Sequence, residues 1–315
     1  MANLASTYRN QGRWKEAEEL QVAVLESRKR TLGEEHPSTL TSMANLALTY
    51  SNQGRWKEAE ELKVAVLESR KRTLGEEHPS TLTSMANLAS TYRNQGRWKE
   101  AEELDMAVIE SSKRTLGEEH PSTLTSMANL ASTYWKQGRW KEAEELQVAV
   151  LETIKRTLGE EHPDTLMSMA NLASTYWKQG RWKEAEELQV AVLESRKRTL
   201  GEEHPSTLTS MADLASTYGN QGRWKEAEEL QVAVLESRKR TLGEEHPDTL
   251  MSMYNQAILW KYHGRVEDAH ALMRNCVVIR QRVLGTDHPQ TLSSVACLAE
   301  WENTSDLLLE RNKSG

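Results

Sequence analysis

A 42-residue unit runs through this chain seven times, almost unchanged. The copies open at Met1, Met43, Met85, Met127, Met169, Met211 and Met253, and an eighth, partial copy opens at Val295. The copies that begin at Met169 and Met211 agree at 37 of 42 positions. An active site needs different surroundings for each reacting group, and near-identical units supply the same surroundings repeatedly. Such units can stack, because each buries its apolar face against the next copy. The repeat therefore predicts one continuous solenoid over residues 1–315, with function carried on a long shared surface.

The unit reads as two helices. In residues 37–75, Leu40, Met43, Leu46, Ala47 and Tyr50 fall on one face of an α-helix. Pro37 and Ser38 suit its start, with Asp164 or Asp248 replacing the serine in other units. Gly54 ends this helix and turns the chain. A second helix is expected from about Arg55 to Leu74, with Trp56, Ala59, Leu62, Val66 and Leu67 inward. Glu58, Glu60 and Glu61 near its start and Arg70, Lys71 and Arg72 near its end match the helix dipole. Gly75 is the expected C-cap. No segment alternates with a period of two, so no strand is assigned. The fold class is all-α.

Net charge is −7 and the isoelectric point is near 5.8, which argues against a nucleic-acid partner. Hydrophobic residues make up 37%, and no apolar run approaches the roughly 18 residues needed to span a bilayer. The residues after Met1 lack the basic start and apolar stretch of a signal peptide. The only cysteines are Cys276 and Cys297, which points to a reducing compartment, read as cytoplasmic.

These residues resemble the tetratricopeptide repeat (TPR) family. The resemblance rests on Leu46, Ala47 and Tyr50 in the first helix, Gly54 at the turn, and Trp56 and Ala59 in the second helix. It implies a right-handed superhelix of stacked antiparallel helix pairs with a concave groove. The long unit and its Leu-Gly-x-x-His-Pro junction resemble the kinesin light chain subgroup, and also the repeat tails of fungal and bacterial NLR-like signalling proteins. Two departures stand against a cargo-adaptor identity. Ala44-Asn45-Leu46-Ala47 replaces the Asn-Asn-Leu-Ala common in kinesin light chains. An aromatic common in the second helix gives way to Gln21, Lys63, Asp105, Gln147, Gln189 and Gln231.

Differences between copies concentrate on one stripe of the first helix, at the places of Thr41, Leu48, Ser51 and Asn52. By the resemblance this stripe lines the groove. The Ser51 place carries Arg93, Trp135, Trp177 and Gly219 in later units. Trp135, Lys136, Trp177 and Lys178, with Met167 near, are the leading partner-binding candidates, suited to an apolar or aromatic side chain flanked by acids. Arg93 extends the basic wall. Asn45, Asn87, Asn129 and Asn171 form a ladder that either binds an extended backbone or bonds within its own unit. The two tryptophans have an alternative role as contacts between adjacent units. Tyr254, Ile258 and Tyr262 form a second candidate patch. A second variable set, at the places of Gln21 and Arg28, reads as repacking on an outer face without function.

The repeated histidines, from His36 to His288, sit one unit apart, too far to share a metal. They read as helix-start packing or hydrogen bonding. No phosphate-binding loop and no Ser/His/acid set stands out, so neither an enzyme nor a cofactor is expected. The first unit lacks the usual lead-in, which reads as the open start of an array able to stack on another chain. The unit from Met253 diverges, and residues 295–315 read as a capping helix with a polar tail. The leading functional expectation is a protein- or peptide-binding module, the C-terminal sensor or scaffold part of a larger NLR-like signalling protein. A self-assembling scaffold and a kinesin-light-chain-like cargo adaptor are the alternatives.

Overall fold

The computed structural model describes residues 4, 5, 7, 8 and 13–313, except for the side chains of 303–313. Among the described residues from Trp14 onward fourteen helices follow one another: α1 Trp14–Leu32, α2 Pro37–Asn52, α3 Trp56–Leu74, α4 Pro79–Asn94, α5 Trp98–Leu116, α6 Pro121–Lys136, α7 Trp140–Leu158, α8 Pro163–Lys178, α9 Trp182–Leu200, α10 Pro205–Asn220, α11 Trp224–Leu242, α12 Pro247–Tyr262, α13 Val266–Leu284 and α14 Pro289–Lys313. There is no strand among the described residues. The chain divides into two compact units, Met1–Leu158 and Gly159–Gly315. Within each, successive helices pack as antiparallel pairs, the expected all-α solenoid. The expected open start, with self-association through it, falls on residues 1–12, most of which lie outside the described residues.

The helix starts explain the repeated histidine. His78 is the N-cap of α4, and its Nδ1 accepts a hydrogen bond from the Ser80 amide at 3.1 Å. His36, His120, His204 and His246 cap their helices in the same way. The cap is thus the histidine before proline, and the Ser or Asp after it donates its amide. Thr81 Oγ1 then donates to the Gly75 carbonyl at 2.8 Å, tying the turn to the helix it opens. Gly75 and Gly54 have φ of +91° and +76°, a region glycine enters without the Cβ clash that other residues meet.

Each core layer draws on three helices. Leu25 of α1, Leu40, Met43 and Leu46 of α2, and Val66 of α3 form one cluster, with Tyr50 and Leu62 against it. Leu67, Leu82, Met85, Leu88 and Val108 repeat it one unit on. Ala47 and Ala59 are fully buried, which leaves room for close helix approach. The unit needs its neighbour because its second helix supplies one wall of its own layer and one of the next.

Polar seams fix the register between repeats. Arg55 Nη1 donates to Glu18 Oε1 of the preceding repeat at 2.8 Å, and Gln53 donates to Glu18 Oε2 at 2.8 Å. The Arg55 guanidinium lies 4.1 Å above the Tyr50 ring and also pairs with Glu58. Arg97 makes the same set with Glu60, Glu100 and Tyr92.

A second seam corrects the outer-face reading of the Gln21 place. Gln21 and Asp105 are buried, and Lys63 is half-buried. Each meets a threonine of the next repeat. Thr49 donates to Gln21 Oε1 at 2.7 Å, Lys63 Nζ to Thr91 Oγ1 at 2.6 Å, and Thr133 to Asp105 Oδ2 at 2.9 Å. The residue at the Ser51 place joins them, as Arg93 Nη1 donates to Asp105 Oδ2 at 2.6 Å. Burial raises the Asp105 carboxyl, and Arg93 and Thr133 oppose that rise. Side chains at these two places therefore touch in the repeats that carry Lys63 and Asp105.

Candidate functional site

A hollow in the second unit opens where one side chain is missing. At the place that holds Trp177 in α8, α10 carries Gly219. A cavity of about 710 Å³ lies there between α10 and α12, with Trp224 of α11 among its lining residues. Tyr254, Ile258, Leu259 and Tyr262 form its apolar wall, while Ser216, Asn220 and Asn255 give polar edges. Tyr262 is 73% exposed and stacks on Trp224, with ring centroids 6.4 Å apart and planes 9° apart. His263 stacks on the same indole at 6.4 Å. Arg280 lies 5.3 Å from the centre of the Tyr254 ring, and its guanidinium is held by the carbonyls of Gln290 and Leu250 and the Ser294 hydroxyl.

The cavity has an uncharged lining with one largely aromatic wall. Its rings sit on rigid helices, and no carboxylate, lysine, arginine or histidine lines it. A Cβ on Gly219 would meet Leu259 Cδ1 at 3.5 Å and the Trp224 ring at 3.8 Å, ordinary contacts. The place accepts a side chain, and its absence leaves the space free.

The sequence candidates divide as follows. Tyr254, Ile258 and Tyr262 come together on this cavity. Trp177 lies on α8, half-buried, with Lys178 Nζ 5.0 Å above its ring; its Nε1 is buried and has no hydrogen-bond partner among the described residues. Trp135 lies on α6 of the first unit, also half-buried, with Lys136 Nζ 5.2 Å above its ring. These lysines cover the indoles beside them in sequence. Met167 is 56% exposed on α8. Arg93 is taken up by Asp105 and Thr133 in the first unit rather than lining an open wall. Asn45 and Asn129 are half-buried and Asn87 and Asn171 exposed, and their side-chain amides make no hydrogen bond among the described residues. Gly219, Trp224 and Leu259 were not expected as site residues. Gly219 and Leu259 were signalled only as departures, a glycine in a column of mostly large side chains and a leucine in a column of threonines.

The described residues hold no group of acids, histidines or cysteines placed to bind a metal, and no helix long and apolar enough to cross a membrane.

The repeated helical hairpin, three-helix core layers and inter-repeat seams define a repeat solenoid of the protein-binding class. The chain belongs to the tetratricopeptide repeat family, whose model matches residues 1–63, 45–110, 83–147, 127–197, 170–231 and 212–277. Among solved structures it is similar to a Podosopora anserina chain of nearly identical TPR-like repeats assigned to the kinesin light chains. That pair shares 40% identity over 66% of this chain and 98% of the other, with a TM-score of 0.59. BtubC (BKLC) from P. vanneervenii shares the fold at 22% identity, covering 73% of this chain and 94% of its own, with a TM-score of 0.62. The apo form of the quorum sensor NprR from B. thuringiensis shares it at 15% identity, covering 96% and 86%, with a TM-score of 0.56. No curated protein matches the chain.

Proposed function

We propose that this chain is a non-catalytic recognition module that binds a protein or peptide segment along its first helices, with the Gly219 cavity as the anchor for one apolar or aromatic side chain. The observation that carries the reading is the cavity itself, about 710 Å³ ringed by Trp224, Tyr254, Ile258 and Tyr262. Buried aromatic anchors of this kind dominate the energetics of recognition surfaces. Trp135, Lys136, Asn87 and Asn129 in the first unit, and Met167, Trp177, Lys178 and Asn171 in the second, remain proposed contact residues. Nucleic acid and membrane are not among the proposed partners, in keeping with the net charge of −7.

In this reading the module serves as the sensor or scaffold part of a larger NLR-like signalling protein in the cytoplasm. Near-identical copies with changed recognition residues support that role, since such an array can alter its chemistry without altering its fold. A second reading, a kinesin-light-chain-like adaptor, draws support from the 40% identity to the P. anserina chain.

The test is selection of peptides from a random displayed library on the intact chain. Peptides should enrich for an aromatic or large apolar residue, and G219W, which restores the side chain of Trp177, should abolish their binding while circular dichroism stays unchanged. Equal binding to a folded G219W chain and to Y262A overturns the cavity as anchor.

A further inference from the structure

One buried polar group on the wall of the Gly219 cavity lacks the donor that its counterparts keep. Gln231 of α11 lines the cavity and is only 3% exposed. In two other repeats the glutamine at this place accepts a threonine hydroxyl. Thr49 donates to Gln21 Oε1 and Thr217 to Gln189 Oε1, both at 2.7 Å. The corresponding threonine place for Gln231 holds Leu259, which has no hydroxyl.

The orientation of the Gln231 amide is fixed by its other bond. One end donates to the Ser252 carbonyl at 3.1 Å, and a carbonyl only accepts, so that end is the nitrogen. The oxygen meets no donor among the described residues. An acceptor on a buried side chain is costly while unserved, and the cost falls when a donor arrives.

Two losses therefore coincide at the cavity. Gly219 removes the bulk that fills this place in most other repeats, and Leu259 removes the hydroxyl. Tyr254, Ile258, Leu259 and Tyr262 leave an apolar wall around the oxygen. An occupant that replaces both lost groups brings an apolar ring and a hydrogen-bond donor. The donor is a hydroxyl rather than an indole N–H, because Trp177 shows how an indole sits at this place. Its Nε1 has no hydrogen-bond partner among the described residues, while Gln189, at the place of Gln231, is served by Thr217.

We propose that Gln231 makes the Gly219 cavity a site for a phenol, an aromatic ring whose hydroxyl donates to Gln231 Oε1. This role of Gln231 rests on the recognition cavity proposed above and names the occupant it selects. The volume of about 710 Å³ also falls in the range of small-molecule sites. A tyrosine side chain and a free phenol both carry this chemistry.

The test is calorimetric titration of the intact chain with p-cresol and with toluene, which keeps the ring and methyl and lacks the hydroxyl. p-Cresol should bind about tenfold or more tightly than toluene, since the hydrocarbon leaves the acceptor unserved. Q231L deletes the acceptor, and L259T restores the threonine of the other repeats, which occupies it. Both variants should keep the circular dichroism of the parent, and the preference for p-cresol should vanish in each. L259T carries the test by itself if Q231L unfolds. 3-Methylindole should bind equally to the parent and to Q231L. N-acetyltyrosinamide separates the sources. If it binds as tightly as p-cresol, the occupant is a tyrosine residue, and binding of p-cresol alone assigns the site to a free phenol. Equal binding of p-cresol and toluene to the parent, or a preference that survives in L259T, overturns the role of Gln231. A loss of 3-methylindole in Q231L that matches the loss of p-cresol overturns the phenol as the selected class. Failure of every probe on the parent overturns the phenol site, whereas the cavity as a peptide anchor stands or falls separately on the library selection with G219W.

Discussion

Asp105 and Arg93 meet at 2.6 Å in a seam where Asp105 is only 1% exposed. The carboxylate also accepts the Thr133 hydroxyl at 2.9 Å, so one oxygen joins two consecutive repeats. In the second unit Trp177 and Gln189 occupy the equivalent places, and Thr217 donates to Gln189 Oε1 at 2.7 Å. The repeat therefore accepts different side chains at the same seam, with the threonine contact kept in both units.

Breaking the Arg93–Asp105 pair from the arginine side should cost most. R93W leaves Asp105 buried without its cation, which should cost about 3 kcal/mol or more. D105Q leaves Arg93 without its anion and should cost less, since that side chain is partly exposed. The double variant R93W/D105Q recreates the Trp177–Gln189 pair and should return to within about 1 kcal/mol of the parent. Urea denaturation of the four proteins measures the coupling, and strictly additive losses would contradict the matched-pair account.

Gln256 offers a second test. It replaces the core leucine of Leu46, Leu88 and Leu214, is fully buried, and neither its amide nitrogen nor its oxygen has a hydrogen-bond partner among the described residues. Burying an unserved amide costs about 1–3 kcal/mol. Q256L should therefore raise the urea midpoint by an amount worth about 1–2 kcal/mol with an unchanged slope. A lowered midpoint would show that the amide is served by groups the leucine cannot replace.

The fold was legible because its signals recur. Leu40, Met43, Leu46, Ala47 and Tyr50 show the helical period in nearly every repeat, and Gly54 and Gly75 mark the turns. The sites were less legible, because recurrence says nothing about which way a variable side chain leans. Ser51 and Arg93 read as groove residues, yet they turn toward the following second helix and meet Lys63 and Asp105. That second helix read as an outer face because Gln21, Lys63 and Asp105 are polar, and polar residues are usually exposed. Here each is satisfied by a threonine of the next repeat, a contact across about 28 residues that no local pattern reports. Trp224 was hidden differently. It looks like every other repeated tryptophan, and only the loss of a side chain at Gly219 gives its ring a cavity to line.

Asp213 provides the pH test. It stands at the place of Asn45, Asn87, Asn129 and Asn171 with its side chain still reaching solvent, and the protein packed around its inner side pushes the carboxyl up to about 6 from an ordinary 3.8 against the opposing charges of Arg196 and Arg238. Between those two values the folded chain holds a proton that the unfolded chain has released. Stability from this residue is therefore present below about 3.8 and declines as pH rises through 6. D213N removes the titration and restores the asparagine that six other repeats carry. The variant should melt above the parent at pH 7.5, and the difference should close as pH falls toward 4. Thermal melts of both proteins across that range measure it directly. A difference that stays constant with pH would show that the substitution acts through packing, and one of opposite sign would mean that Arg196 and Arg238 outweigh the desolvation of the carboxylate.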